Sequence, residues 1–309
     1  MKVIKKCYNS CMRIEINITY ALKKLMEALN YTTSDLAIIL NVDNRSIYNY
    51  IHYHKDATQS VYSKIIDLID NNNLDIYQLL DIDNDESYLF HGSKTGGIIG
   101  KISVSKNINE ANDFGNGFYL SKSFRNAVSY VIDRKKPIIY RFKESDVLKG
   151  KIYSFKKDKS GDEDWVIYIG LNRKKIDSDQ DEMFFKEYYD NKFSKYSILI
   201  GEIADSYNFE ILNDFFNNTK DIEETKEALI KANIGPQYVI KDEEIANELM
   251  WIEEYVIEKK LKEYLTSLMR NKKKILKDTR EKISKKHVFD PNKTFSEIRK
   301  RRKEEYEQR

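Results

Sequence analysis

At Ser87 the spacing of apolar side chains changes, and the change divides the chain into parts that cannot share one kind of secondary structure. Before it, from residue 15 to about 80, apolar positions recur every third or fourth residue, the period of a helix with one buried face. After it come short unbroken runs: Tyr88 to Gly92, Pro137 to Phe142, Trp165 to Gly170, Tyr196 to Gly201 and Gln237 to Ile240. These runs read as strands, and the helical or polar stretches between them predict an α+β domain rather than a regular βαβ array. From Glu243 a helical spacing returns, with Ile245, Leu249, Ile252, Val256 and Ile257 expected on one face.

In the first part, Leu22, Leu25, Met26 and Leu29 form one stripe, and Thr32, Thr33 and Ser34 offer N-cap oxygens to a second short helix carrying Leu36, Ala37 and Leu40. Asn41 to Asn44 make a turn. A third helix is predicted from about Arg45 to His52, with Ile47 and Ile51 inward, and Val61, Ile65, Leu68 and Ile69 suggest further packing helices. This pattern resembles the helix-turn-helix of Cro and repressor proteins, whose second helix enters the major groove. The resemblance implies a DNA partner, with Asn44, Arg45, Ser46, Tyr48 and Asn49 at the groove-facing positions. Residues 1 to 80 carry 9 basic and 8 acidic residues, a weak footprint for DNA, so a protein-docking bundle stays open.

Charge is distributed unevenly. The net charge is +3, but residues 259 to 309 hold 19 basic and 8 acidic residues, which makes a helical, basic C-terminal extension suited to an acidic partner such as nucleic acid, ribosome or protein. A solvated helical appendage is the plainer reading of the same charges. No run approaches a membrane span and the N-terminus lacks a secretory pattern, so a cytoplasmic protein without a membrane partner is expected. Cys7 and Cys11 have no metal-ligand spacing around them; two reduced thiols and no bound metal are expected.

Three clusters in the β-rich part bear on chemistry. His91-Gly92-Ser93 closes a predicted strand with a histidine donor, a residue permitting close approach and a hydroxyl. Asp113-Phe114-Gly115-Asn116-Gly117-Phe118-Tyr119-Leu120-Ser121 bends at its glycines and re-enters a strand, and a helix follows that carries Tyr130. Two tyrosines so placed could wall a slot for a flat ring. Gln237 begins a late strand after the turn Gly235-Pro236.

In their order these clusters resemble the ADP-ribosyltransferase superfamily, in the branch shared by diphtheria-type toxins and poly-ADP-ribose polymerases. More narrowly, Trp165 to Arg173 and Ser197 to Asp205 are similar to segments of a little-characterised bacterial family of such domains often found near toxin-antitoxin genes. The resemblance covers residues 87 to 247. It implies a split β-sandwich that folds NAD⁺, as substrate, into a cleft between two small sheets. His91 would hold the adenosine ribose, Gly92 and Ser93 the nicotinamide carboxamide, and Tyr119 and Tyr130 would sandwich the ring. Gly117, Phe118 and Ser121 would line the same site, and Gln237 would stand with His91 and Tyr119 among the catalytic positions.

At position 237 the polymer-forming members carry glutamate; glutamine keeps the hydrogen bond to a ribose hydroxyl but supplies no charge. The expectation is a mono-ADP-ribosyltransferase acting on a protein or nucleic-acid acceptor, a toxin or defence effector with an antitoxin partner. The alternative is a DNA-binding regulator whose catalytically weak domain senses NAD⁺ or ADP-ribose. The expected layout is a tail over 1–14, a helix-turn-helix bundle over 15–82, the transferase-like domain over 87–247 and the basic extension over 248–309.

Overall fold

The computed structural model describes residues 12–80, 82, 87–94, 96–98, 100–105, 112–158, 160–204, 210–230, 235–280 and 287–308, with the backbone alone described over 271–280. Cys7 and Cys11 lie outside the described residues.

The N-terminal helices are α1 (Leu22–Leu29), α2 (Thr33–Leu40), α3 (Asn44–Tyr53), α4 (Gln59–Asn71) and α5 (Ile76–Leu79). Side-chain chemistry sets their ends. Thr32 and Asp35 form a reciprocal capping box on α2, and the Asp43 carboxylate accepts from Ser46 N at the start of α3. Asn30 and Asn41 end α1 and α2 in the left-handed region, which asparagine tolerates better than most residues. Leu22, Leu25, Leu36, Leu40, Ile47, Ile65 and Ile69 are buried, as the helical stripes predict; on α3 the second inward residue is Tyr50, while Ile51 is half-buried.

Among the described residues, eight strands make one mixed sheet: β1 (Met12–Ile16), β2 (Tyr88–Ser93), β3 (Phe118–Ser121), β4 (Ile138–Lys143), β5 (Ile152–Ser154), β6 (Ile198–Glu202), β7 (Pro236–Ile240) and β8 (Glu253–Ile257). Their order is β1-β8-β4-β2-β3-β7-β6-β5. The joint between β2 and β3 is thin, a single ladder pair of Phe90 with Ser121, whereas β2 and β4 share six pairs. Helices α6 (Phe124–Val131), α7 (Glu144–Val147), α8 (Gly161–Asn172), α9 (Asp179–Phe193), α10 (Glu210–Phe216), α11 (Ile222–Ile230), α12 (Glu243–Glu248), α13 (Lys259–Arg280) and α14 (Phe295–Glu307) complete the described elements.

Strand alternation sorts the core into three clusters. On one face, Phe90, Ile139, Tyr255 and Ile257 pack against α6, α13 and the N-terminal helices. On the same face but beyond the thin joint, Val239, Leu199 and Tyr153 pack against α8 to α11 and α14. The other face carries Leu89, Phe118, Leu120, Tyr140, Phe142, Ile198 and Ile240, covered by Ile102, Val104, Val147, Ala246 and Leu249.

Three expectations fail. Trp165 to Gly170 lies within helix α8: Asp162, Glu163 and Asp164 form an acidic first turn that suits a helix N-terminus, and the run is buried almost all round, so its periodicity could not separate helix from strand. The helical face expected from Ile245 to Ile257 is a short helix, α12, followed by β8, whose Tyr255 and Ile257 alternate into the core between two neighbouring strands. Residues 12 to 14, expected in a tail, belong to β1, which pairs in parallel with β8 across more than two hundred residues of chain. The C-terminal stretch likewise returns to the body, with Leu261, Leu265, Phe295 and Ile298 buried. No described helix is long and apolar enough to cross a membrane.

Candidate functional site

The seam between the two helical layers, at the β2–β3 joint, gathers most of the residues singled out above. Gly92 turns toward α6; a Cβ built there would lie 2.4 Å from the Ala127 carbonyl oxygen, so only glycine lets helix and strand approach this closely. Tyr119 and Ser121 alternate to the same face, and Ser121 pairs directly with Gln237 across β3 and β7. Helix α6 starts just after Ser121: Ser123 caps it through Asn126 N, and Asn126 Nδ2 donates to Ser121 Oγ at 3.0 Å. Tyr130, on the last turn of α6, is half-exposed, and the Lys94 ammonium sits 3.9 Å above its ring.

His91 and Ser93 alternate to the opposite face, with Leu89, and the His91 ring stacks on Phe118 at 4.2 Å. His91 Nδ1 lies 2.7 Å from the Tyr119 carbonyl oxygen. A carbonyl only accepts, so Nδ1 carries the proton and Nε2 is left as an acceptor. The expected histidine donor is therefore spent within the protein. Burial holds the imidazole down to about 4, which keeps it neutral at physiological pH. Ser93 is buried on that face as well, so the His-Gly-Ser triplet presents its middle residue and its outer two to different sides of the sheet.

The bend before β3 is fixed from several directions. Gly115 takes a φ of +68°, and a Cβ there would come within 2.5 Å of Asn172 Oδ1. The Tyr119 hydroxyl donates to Gly115 O at 2.6 Å and accepts from Phe114 N at 3.1 Å. Burial, and then the nearby Asp113 carboxylate, push this phenol well above the usual tyrosine range, so it stays protonated. Lys241 Nζ donates to Phe114 O at 2.6 Å, and burial holds its ammonium down to about 8.

Asp113 and Arg173 stand within the segments singled out above, but the sequence reading assigned neither of them a role in the site. Asp113 is buried, and its Oδ1 accepts from Arg173 Nε and Nη2 at 3.1 and 2.5 Å. Its Oδ2 accepts from Ala204 N at 3.2 Å and from Gln237 Nε2 at 3.0 Å. Gln237 Nε2 also donates to Glu202 O at 3.2 Å. The partners are 60 and 124 positions apart in the chain, and no local period reports such a pairing. Gly117 and Phe118 lie at the start of β3: Gly117 is close-packed beneath Val239, and Phe118 is buried against His91 and Phe142.

The residues proposed for DNA are on α3. Asn44, Arg45 and Tyr48 are exposed, Ser46 and Asn49 are half-buried, and Tyr48 packs on His52 with ring centres 4.2 Å apart. Two surface cavities lie away from the seam: one of about 670 Å³ between α1 and the end of α3, and one of about 360 Å³ between α9 and α14, lined by Lys192, Arg302 and Asp158 among others.

Fold and site together define a mixed α/β protein whose eight-stranded sheet carries a polar seam of Gly92, Tyr119, Ser121 and Gln237. The chain belongs to the family described as "Protein of unknown function (DUF3990)", whose model matches residues 88–251. No curated protein and no solved structure matches it.

Proposed function

We propose that the chain is a mono-ADP-ribosyltransferase that uses NAD⁺ to modify a macromolecular acceptor. The observation that carries the reading is that β2, β3 and β7 are neighbours and set Gly92, Tyr119, Ser121 and Gln237 on one face of the sheet, with the Tyr130 helix beginning just after Ser121. The resemblance rests on the order of the motifs along the chain, and the adjacency of these four residues in space is independent support.

In the reaction, the bond between the nicotinamide nitrogen and ribose C1′ breaks, and its electron pair leaves with nicotinamide, which becomes neutral. An acceptor nucleophile bonds to C1′ and releases its proton to solvent. Tyr119, held through its hydroxyl, offers a fixed ring edge for the nicotinamide, and Gly92 lets α6 close on the same face of the sheet. His91 and Ser93 face the other side of the sheet, where the imidazole stacks on Phe118, and take no part in this arrangement. Gln237 contributes an amide in place of a carboxylate, which favours one transfer over chain growth. The acceptor and an antitoxin-like partner are parts of the same proposal.

The test is incubation of the full chain with NAD⁺ radiolabelled in the adenylate and with fractionated bacterial lysate. Nicotinamide release and a labelled protein or nucleic-acid fraction are expected, both lost in Tyr119→Ala. Intact NAD⁺ across all fractions would sink the proposal. The exposure of Arg45 and Tyr48 on α3 favours a second reading, a DNA-binding regulator that senses NAD⁺ without consuming it. It requires salt-dependent binding to a defined DNA site and bound NAD⁺ that survives for hours.

A further inference from the structure

We infer that Asp113 is a positioning residue that locks the Gln237 side chain as a pure hydrogen-bond acceptor, so that glutamine here is the fitted residue and glutamate would be the defective one. The inference rests on the reading above for its substrate, the ribose hydroxyls of NAD⁺, and on geometry alone for the lock.

A primary amide has a donor end and an acceptor end of nearly equal shape, and either can face a ligand. At Gln237 the choice is forced. Its nitrogen meets the Asp113 carboxylate at 3.0 Å and the Glu202 carbonyl at 3.2 Å, two groups that accept and cannot donate. Turning the amide over would set its oxygen against both. Asp113 is itself fixed, by Arg173 on one oxygen and by the Ala204 N–H on the other, and it is 5 % exposed. The nitrogen end is thus engaged inside the protein, and Oε1 is the end available to a hydroxyl.

Glutamate at the same place inverts the result. A carboxylate at position 237 would put negative oxygens against Asp113 and the Glu202 carbonyl, with no N–H between them; like charges at hydrogen-bond distance cannot both ionise without cost. The Arg173 guanidinium already serves Asp113 from the far side. A comparison that treats glutamine as a weakened glutamate therefore predicts a gain of activity for Gln237→Glu, and the lock predicts a loss.

The experiment measures NAD⁺ turnover by the full chain in four forms: wild type, Gln237→Glu, Asp113→Asn and the double variant. Gln237→Glu should lose roughly 10- to 100-fold in kcat, the scale of a hydrogen bond to a charged group turned repulsive. In the double variant the new asparagine amide can donate to the new glutamate, and turnover should rise roughly threefold or more above Gln237→Glu alone, although Ala204 N loses its acceptor. A purely structural role for Asp113 would make the double variant worse than either single one. Gln237→Glu at or above wild-type turnover overturns the inference. A second measurement separates it from the transferase reading: in the ¹⁵N spectrum the Gln237 amide protons should exchange slowly, and roughly tenfold faster in Asp113→Asn. If wild type leaves NAD⁺ intact, the transferase reading fails and this exchange still decides the lock; fast exchange in wild type, or none of the acceleration, overturns it.

Discussion

The helical layer over β1, β8, β4 and β2 and the layer over β3, β7, β6 and β5 cover the same face of one sheet with different materials. The first is mostly apolar inside, built on Leu22, Leu25, Ile47, Ile65, Ile69, Val128 and Leu261, with Arg141 buried beside Glu253 and a part-exposed link from α5 to α6, Arg125 to Asp75. The second mixes aromatic rings with buried charge. Asp164 is fully buried and meets Lys192, Arg302 and the Tyr189 hydroxyl; Asp181 is buried between Arg299 and Lys303. Much of that charge is brought by α14, so the basic C-terminus spends Arg299, Arg301, Arg302 and Lys303 on internal acids. An apolar layer tolerates local loss in proportion to volume, whereas a charged one depends on every partner being present.

The sharpest break of this contrast is Asp164→Ala. It leaves Lys192 and Arg302 with one carboxylate fewer in a desolvated place and should cost about 3 to 5 kcal/mol. Denaturant unfolding of the full chain reads it, and a loss below about 1 kcal/mol would mean that the network is no more than a surface one. Ile65→Ala in the first layer should cost about 3 kcal/mol by transfer and cavity formation. The two differ under a shape-preserving change: Asp164→Asn, which removes only the charge, should keep most of the first deficit, whereas Ile65→Val should cost only about 1 kcal/mol. Near-wild-type stability of Asp164→Asn would erase the distinction.

The same contrast explains what could be read from the sequence. Apolar stripes at helical spacing found α1 to α4, and the asparagine and threonine punctuation found their ends, because period and capping are local. The β-runs of β2, β4, β6 and β7 were legible for the same reason. Trp165 to Gly170 was not: a helix buried all round carries no period, and Gly170 is dictated by the Phe216 ring packed against it, whose atoms a Cβ would meet at 2.2 Å. Tyr119, Ser121 and Gln237 could be quoted from motifs, but Asp113 and Arg173 enter the site only through tertiary pairing. The opposite facing of His91 and Gly92 follows from alternation alone and could have been anticipated from the strand.

On the other side of the sheet from both layers, His91 offers a test through pH. Its folded form is held neutral down to about 4, while the unfolded side chain titrates near 6.5. Between those values the unfolded chain binds the extra proton, so this contribution is whole above pH 6.5 and is lost as pH falls toward 4. The loss from pH 7 to pH 5 should be about 2 kcal/mol. Carboxylates titrate in the lower part of the window, so the measurement is the difference between wild type and His91→Asn across the two pH values. An identical pH slope in the two proteins would place the imidazole in water.

The smallest effect tests whether the seam is held by α6 itself or only by the layers on either side of it. Ser123 Oγ caps α6, accepting from Asn126 N at 3.3 Å, and Asn126 in turn reaches back to Ser121 on β3. Ser123→Ala should cost about 1 kcal/mol of global stability, the usual worth of such a cap. If the cap also orders the seam, amide exchange should quicken in the first turn of α6 and at Ser121 while α1 to α4 and α8 to α11 stay protected. Because α6 packs Phe124, Val128 and Val131 into the apolar layer, a uniform quickening across that layer would instead make the helix part of its cooperative unit, and the seam would have no stability of its own.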